Sequence, residues 1–135
     1  MRYFNTFGGN TVAVAAARAT FDVIREEGLM ANAEMVGRHL RDGLTSLADR
    51  YEAIGDVRGA GLYIGVEMVR DRGTKEPNRE AALAVVNGLR ERRVLISATG
   101  YNANTLKIRP PLVFSKAHAD RFLTELDTVL KSVED

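Results

Sequence analysis

The chain has 135 residues, enough for one domain of ordinary size, and its 45% hydrophobic and 27% charged content is that of a folded globular protein rather than a disordered one. Formal net charge is +1 with both signs interspersed, so nothing points to nucleic acid or an anionic membrane as a partner. Cysteine is absent, which excludes disulfides and thiolate metal sites, and no apolar run reaches the roughly 18 residues that span a bilayer.

Taken in chain order, Met1 to Gly9 reads as a loop with Tyr3, Phe4 and Phe7 around a Gly8-Gly9 pair. It lacks the apolar stretch of a secretory signal, so a cytoplasmic location is the expectation. Asn10 suits an N-cap, Ala13, Ala17, Phe21 and Ile24 follow at helical spacing, and Gly28 suits the stop. A second helix with Ala33, Val36, Leu40, Leu44 and Leu47 on one face should pack against the first. From Ile54 to Arg58 a short strand is expected, broken by Gly59 and Gly61. Leu62, Ile64, Val66 and Met68 then alternate with Tyr63, Gly65, Glu67 and Val69, the period of a half-buried strand.

Asp71 to Pro77 reads as a polar turn, with Pro77 in the first turn of a helix carrying Ala82, Val85, Val86 and Leu89. Val94 to Ser97 and Thr105 to Arg109 read as strands separated by a loop from Ala98 to Asn104, and Pro110-Pro111 ends the second. Ser115 suits the cap of a last helix with Ala119, Phe122, Leu126, Val129 and Val133 inward. The order α-α-β-β-α-β-β-α predicts a single two-layer α+β domain over residues 1–135. Its sheet is expected to be largely antiparallel, with three or four strands and helices on one face.

Two places could carry chemistry. In Asn5-Thr6-Phe7-Gly8-Gly9-Asn10 a hydroxyl, two glycines and a helix N-terminus lie together. Glycines let a ligand approach the backbone, and free amides at the positive end of a helix favour a phosphate. A plain loop and cap would show the same residues. Lys107 and Arg109, two apart in a strand, point to one side, where a guanidinium facing a cleft can hold a carboxylate. The alternative is a solvated basic face. His39 and His118 read as isolated surface histidines without a metal partner, and Asp56, Arg58 and Glu67 as a cross-strand ion pair at most.

The motifs together resemble class III aminotransferases, which depend on pyridoxal phosphate. Those that carry the likeness are Thr6-Phe7-Gly8-Gly9-Asn10, Glu26-Glu27-Gly28-Leu29, Ile54-Gly55-Asp56-Val57-Arg58-Gly59 and Gly61-Leu62-Tyr63-Ile64-Gly65-Val66-Glu67. Thr74-Lys75-Glu76-Pro77 and Leu106-Lys107-Ile108-Arg109-Pro110-Pro111-Leu112 continue it, in order, over essentially the whole chain. The alanine–glyoxylate branch is the nearest in pattern.

The resemblance implies a C-terminal small domain partnered by the large cofactor-binding domain, acting on a small amino donor and an oxo acceptor in a homo-oligomer. It implies that Thr6, helped by the amide of Phe7, binds the cofactor phosphate across a subunit interface. A substrate carboxylate would meet the basic strand, where Lys107 occupies the family's arginine position and Arg109 follows two residues later. Thr11 is a further departure, standing where the family has proline. The family's cofactor-carrying lysine and its pyridine-binding aspartate lie upstream of the threonine motif. Lys75, Lys107, Lys116 and Lys131 are the lysines present, and none is placed for that role. The expectation is therefore no catalytic residue, no bound metal and no turnover by this chain alone. A stand-alone, non-catalytic binding or dimerisation module built on the same fold is the alternative. In either case, apolar surface around Tyr3, Phe4 and Phe7 should be exposed.

Overall fold

The structure, a computed structural model, describes residues 4–134. Helix α1 (Thr11–Glu26) begins where the Asn10 side chain accepts a 2.9 Å hydrogen bond from the Ala13 amide. It ends at Gly28, whose φ of +63° is the left-handed turn that glycine enters without a Cβ penalty. Helix α2 (Leu29–Ala48) starts at once and buries Ala33, Val36, Leu40, Leu44 and Leu47, the face its spacing predicts.

Strands β1 (Ile54–Ala60) and β2 (Tyr63–Asp71) form a hairpin closed by Gly61-Leu62. Strand β3 (Glu76–Pro77) pairs with the far end of β2, helix α3 (Arg79–Glu91) follows, and strands β4 (Ser97–Thr99) and β5 (Thr105–Ile108) precede α4 (Lys116–Glu134). All the pairings are antiparallel, and the main sheet runs β1-β2-β5-β4. Helices α2 and α3 lie against it and α4 packs on both. This is the expected α+β small domain with one strand more. Among the described residues no helix is long and apolar enough to cross a membrane.

One continuous core joins the layers. Ile54, Ile64, Val66, Met68, Leu106 and Ile108 from the sheet meet Leu40, Leu44, Val85, Leu89, Phe122, Leu126 and Leu130 from the helices, all at or below 4% exposure. Because that core extends from Ala33 to Leu130, it closes without α1, in which no residue is buried. Expected neighbours, α1 and α2 do touch, and α1 meets no other element. Yet Val12, Val14, Phe21 and Val23 stay exposed, so the apolar spacing of α1 does not serve this core.

Several boundaries differ from the sequence reading. Strand β1 continues through Gly59 to Ala60, since Gly59 takes a φ of +152° inside the ladder and only Gly61 (φ +51°) turns the chain. Gly55 is the extra residue of a bulge between the Ile54–Met68 and Asp56–Glu67 pairs, its missing side chain leaving room for Val69. Pro77 closes β3 rather than opening the helix; Asn78 is the cap, accepting from the Ala81 amide at 3.0 Å. The fourth strand lies at Ser97–Thr99, later than Val94, because Arg93 and Val94 are used to end α3. Asn104, read as loop, is buried and donates to the Met68 carbonyl at 2.8 Å, extending the β2–β5 pairing.

Polar clamps hold the C-terminal end of α2. The Arg72 guanidinium donates to the carbonyl of Ala48, which the end of α2 leaves without a helical partner, and to those of Tyr51 (2.9 Å) and Ile54 (3.1 Å) in the connection to β1. Buried Tyr51 donates its hydroxyl to Asp127 of α4 at 2.6 Å. Arg50 pairs with the same carboxylate at 3.0 Å and Lys131 at 3.4 Å. The Tyr51 bond, reinforced by the charges of Arg50 and Lys131, holds the Asp127 carboxyl below the usual carboxylate range.

Two outcomes are expected. A Cβ at Gly37 of α2 would fall on the Gly61 backbone, so Gly37→Ala should cost about 2–3 kcal/mol in urea unfolding, against well under that for an exposed helix site. Asp127 titrates lower folded than unfolded, so its contribution is complete above the unfolded value near ~3.9 and is lost as pH falls through the folded value. The urea midpoint of Asp127→Asn should accordingly fall less than that of wild type between about pH 6 and pH 3.

Candidate functional site

Thr6 and Phe7 sit exposed in a turn ahead of α1. The turn is shaped by Asn5 and Asn10. Asn5 Oδ1 accepts from the Phe7 amide at 3.1 Å, while Asn10 Nδ2 donates to the Phe7 carbonyl at 3.0 Å. Gly9 (φ +78°) faces open space, so the backbone here is approachable from outside. The Thr6 hydroxyl, the bare glycines and the positive end of a 16-residue helix suit an oxyanion. These residues fit the phosphate end of pyridoxal phosphate, and none of them fits its ring. The Phe7 amide already has an acceptor, so assistance from it requires Asn5 to yield or share it. Phe4 and Phe7 are 88% and 81% exposed, the apolar surface expected there; Tyr3 lies outside the described residues.

Lys107 and Arg109 come together elsewhere, in a cleft of about 570 Å³ between the 93–97 segment, the end of β5 and the first turns of α4. Buried Ile108 and Phe122 are in its wall, with half-buried Phe114 beside them. Lys107 is half-buried on the helix-free side of the sheet, opposite Gly65 on one neighbouring strand and Ser97 on the other. Those small partners leave its stem room to lie flat against the sheet. Lys107 and Arg109 both line the cleft, but β5 ends at Ile108, so the strand alternation expected to put them on a common side does not extend to Arg109. Thr6 and Phe7 are not among the lining residues, so the two candidate sites are separate in this chain.

The same cleft gains three groups that sequence reasoning missed. Arg93 and Arg121 line it, and His118 stands at the start of α4, its ring 5.4 Å from that of Phe114. His118 Nδ1 also meets the Ser115 amide at 3.3 Å, while the Ser115 hydroxyl accepts from the His118 amide. His118 is thus a capping partner rather than an isolated histidine. No carboxylate lines the cleft, and among the described residues Arg93, Lys107, Arg109 and Arg121 form no ion pair. Arg121 gives no signal in sequence, and Arg93 only the absence of a glycine where α3 ends.

Other charges are committed. Arg58 bridges Asp56 (2.6 Å) and Glu67 (2.8 Å), the expected cross-strand pair widened to a triad. Hydrogen bonds to Asp56 and then Glu67 raise the Arg58 pKa above its usual value. His39 is not isolated: its Nε2 lies 2.5 Å from Asp120 Oδ1, tying α2 to α4 over a separation of 81 residues that helical spacing does not reveal. Lys75 donates to the Gly55 carbonyl at 2.7 Å and Lys116 is exposed at the start of α4. Among the described residues no three His, Asp or Glu side chains are grouped to hold a metal ion.

The family model for class-III aminotransferases matches residues 2–130. An alanine–glyoxylate aminotransferase 2-like protein of Drosophila melanogaster is 45% identical over 132 residues, which is 97% of this chain and 27% of that protein. A taurine–pyruvate aminotransferase of Rhodobacter capsulatus is 45% identical over 136 residues, 96% of this chain and 29% of that one. In three dimensions the chain is similar to a phospholyase from Arthrobacter solved with phosphoethanolamine. That match has a TM-score of 0.90 and 41% identity, over 96% of this chain and 31% of the other. The chain thus spans between a quarter and a third of the length of these relatives. With 129 consecutive residues under one model, this chain belongs to the class-III aminotransferase family.

Proposed function

We propose that this chain is the C-terminal small domain of a pyridoxal-phosphate-dependent aminotransferase, moving an amino group between a small donor and an oxo acid or aldehyde. Its short span relative to full-length relatives, with the core intact, is the observation that carries the reading. Helix α1 supports it: a 16-residue helix with no buried residue has its apolar side chains available for a larger partner domain. We take that partner to be the large domain of the same enzyme, in a homo-oligomer working in the cytoplasm.

In that assembly Thr6 would hold the cofactor phosphate through its hydroxyl, with the α1 dipole behind it. The cofactor, when bound, supplies the electron sink that lets an amino group leave one carbon and join another. Lys107 and Arg109 would orient the substrate by its carboxylate, Arg109 through two parallel hydrogen bonds and Lys107 as a point charge. Proton transfer between substrate and cofactor needs an amine at the reacting carbon, and the four lysines offer none. Lys75 and Lys131 are held by Gly55 and Asp127, Lys116 is on a helix surface, and Lys107 lies in the carboxylate cleft. We therefore assign no catalytic residue to this chain and no turnover to it alone.

Mixed with pyridoxal phosphate and reduced with borohydride, the isolated chain should retain no stoichiometric pyridoxyl-lysine by mass spectrometry. A stoichiometric adduct at any one lysine overturns the assignment of no turnover. Grafted in place of the matching segment of the Rhodobacter capsulatus enzyme, the chain should preserve cofactor binding. In that chimera Thr6→Ala should weaken cofactor affinity by about tenfold, the worth of one charge-assisted hydrogen bond. Lys107→Ala and Arg109→Ala should instead raise KM for the oxo acid and leave cofactor affinity unchanged.

A further inference from the structure

The chain that leaves β5 carries two prolines and little backbone hydrogen bonding of its own. Arg109 is followed by Pro110 and Pro111, which have no N–H to donate and whose rings hold φ near one value. Arg109 itself, standing before a proline, is confined largely to extended backbone. The run ends in a turn, where the Phe114 N–H donates to the Pro111 carbonyl at 2.9 Å. With so little freedom between them, a displacement of that turn is passed back to Arg109 rather than absorbed on the way. Arg109, Pro110, Pro111 and Phe114 all line the cleft, so the placement of the turn sets one of its walls.

What holds the turn comes from a residue 80 positions away. Asn32, near the start of α2, donates from Nδ2 to the Leu112 carbonyl at 2.7 Å and to the Phe114 carbonyl at 3.0 Å. A side-chain amide nitrogen carries two hydrogens, so each carbonyl can receive its own. The Leu112 carbonyl belongs to the central peptide of the Pro111–Phe114 turn. Turns of types I and II differ in which way that peptide faces, and a bond to its oxygen selects one of them. Asn32 is itself well held: its backbone N–H donates to the Gly28 carbonyl at 3.1 Å, the first bond of α2, and its side chain is half-buried. Among the described residues no other side chain hydrogen-bonds to residues 109–114.

We infer that Asn32 is a positioning residue for the proposed carboxylate site, setting the place of Arg109 through the Leu112–Phe114 carbonyls and the two prolines. It rests on the reading of Lys107 and Arg109 as carboxylate-binding groups and adds to them a residue from another element. Asn32 does not line the cleft, so it acts through the turn and not on the ligand. An aspartate at this position would have the same size and, when ionised, no donor, setting a carboxylate against two carbonyl oxygens. A glutamine would keep both donors on a longer stem.

The test is titration of the isotopically labelled full chain with pyruvate, a small oxo acid, at neutral pH and constant ionic strength, followed by NMR at the backbone amides of Lys107 and Arg109. Asn32→Ala and Asn32→Asp should each move the Arg109 signal and weaken pyruvate about fivefold, the worth of one net hydrogen bond. Asn32→Gln should recover most of that affinity. Asn78→Ala removes a side-chain bond at the start of another helix; it should lower the urea midpoint and leave pyruvate affinity unchanged. Wild-type affinity in Asn32→Ala and Asn32→Asp overturns the inference. So does an equal loss in Asn78→Ala, or a loss in Asn32→Gln as large as in Asn32→Asp. The carboxylate reading is decided separately: it stands if Lys107→Ala or Arg109→Ala weakens pyruvate, whatever Asn32 does. It fails, and the inference with it, if pyruvate does not bind or if neither variant changes its binding.

Discussion

The fold depends on how closely helix α2 approaches the tip of the β1–β2 hairpin. Gly37 presents bare backbone to Gly61, and any side chain at Gly37 would occupy the space of the Gly61 carbonyl. Arg41, one turn further along the same helix, donates to the Gly59 carbonyl at 2.6 Å, so the tip is held by contact and by charge. Gly61, at positive φ, turns the hairpin under the helix, and Gly59 leaves room for the Tyr63 carbonyl inside the ladder. This seat fixes β2 in the sheet. Strand β2 in turn sets the register of β5, pairing Gly65 with Lys107 and Ile64 with Ile108. The basic cleft is therefore positioned by glycines that never touch it.

Much of this was legible in sequence, and for identifiable reasons. The alternation from Leu62 to Met68 and the helical spacing of Leu40, Leu44 and Leu47 report burial directly, because one face of each element meets one core. Asn10 and Gly28 act through their own backbone, so their roles can be read without a partner. Pro77 misled because a proline fits an edge strand as well as a first helical turn, and Asn78 outcompeted it as the cap. Gly59 misled because a glycine in a strand pattern reads as a break, while here it stays in the ladder, where a side chain would meet the Tyr63 carbonyl.

The site was less legible because its parts meet across long separations. Lys107 lies in β5 and Arg109 directly after it, so their closeness follows from sequence alone. Arg121 reaches the cleft from another element, and Arg93 from a helix end that no propensity would give to arginine. His39 and Asp120 show the same limit in a structural pair: each looks solitary until α2 and α4 dock. Helix α1 errs in the opposite direction. Its apolar spacing resembles that of α2, and yet the core closes without it. Periodicity says that a face wants cover and is silent on what covers it.

That asymmetry is how one chain can close its own core and leave its proposed functional groups outside it. The core, from Ala33 to Leu130, satisfies its own packing and its own polar groups, and among the described residues no buried side-chain polar atom lacks a partner. The groups proposed for function lie outside that closed system: Thr6 on an exposed turn, Lys107 and Arg109 in an open cleft, Val12 and Phe21 on an uncovered helix. Each has chemistry left over after folding is satisfied, an unused hydroxyl, unmatched cations or dry surface. Residues in that condition add little to the stability of the domain. A partner surface that covered α1 would also exclude water from the turn that leads into it, raising the strength of any electrostatic contact made there.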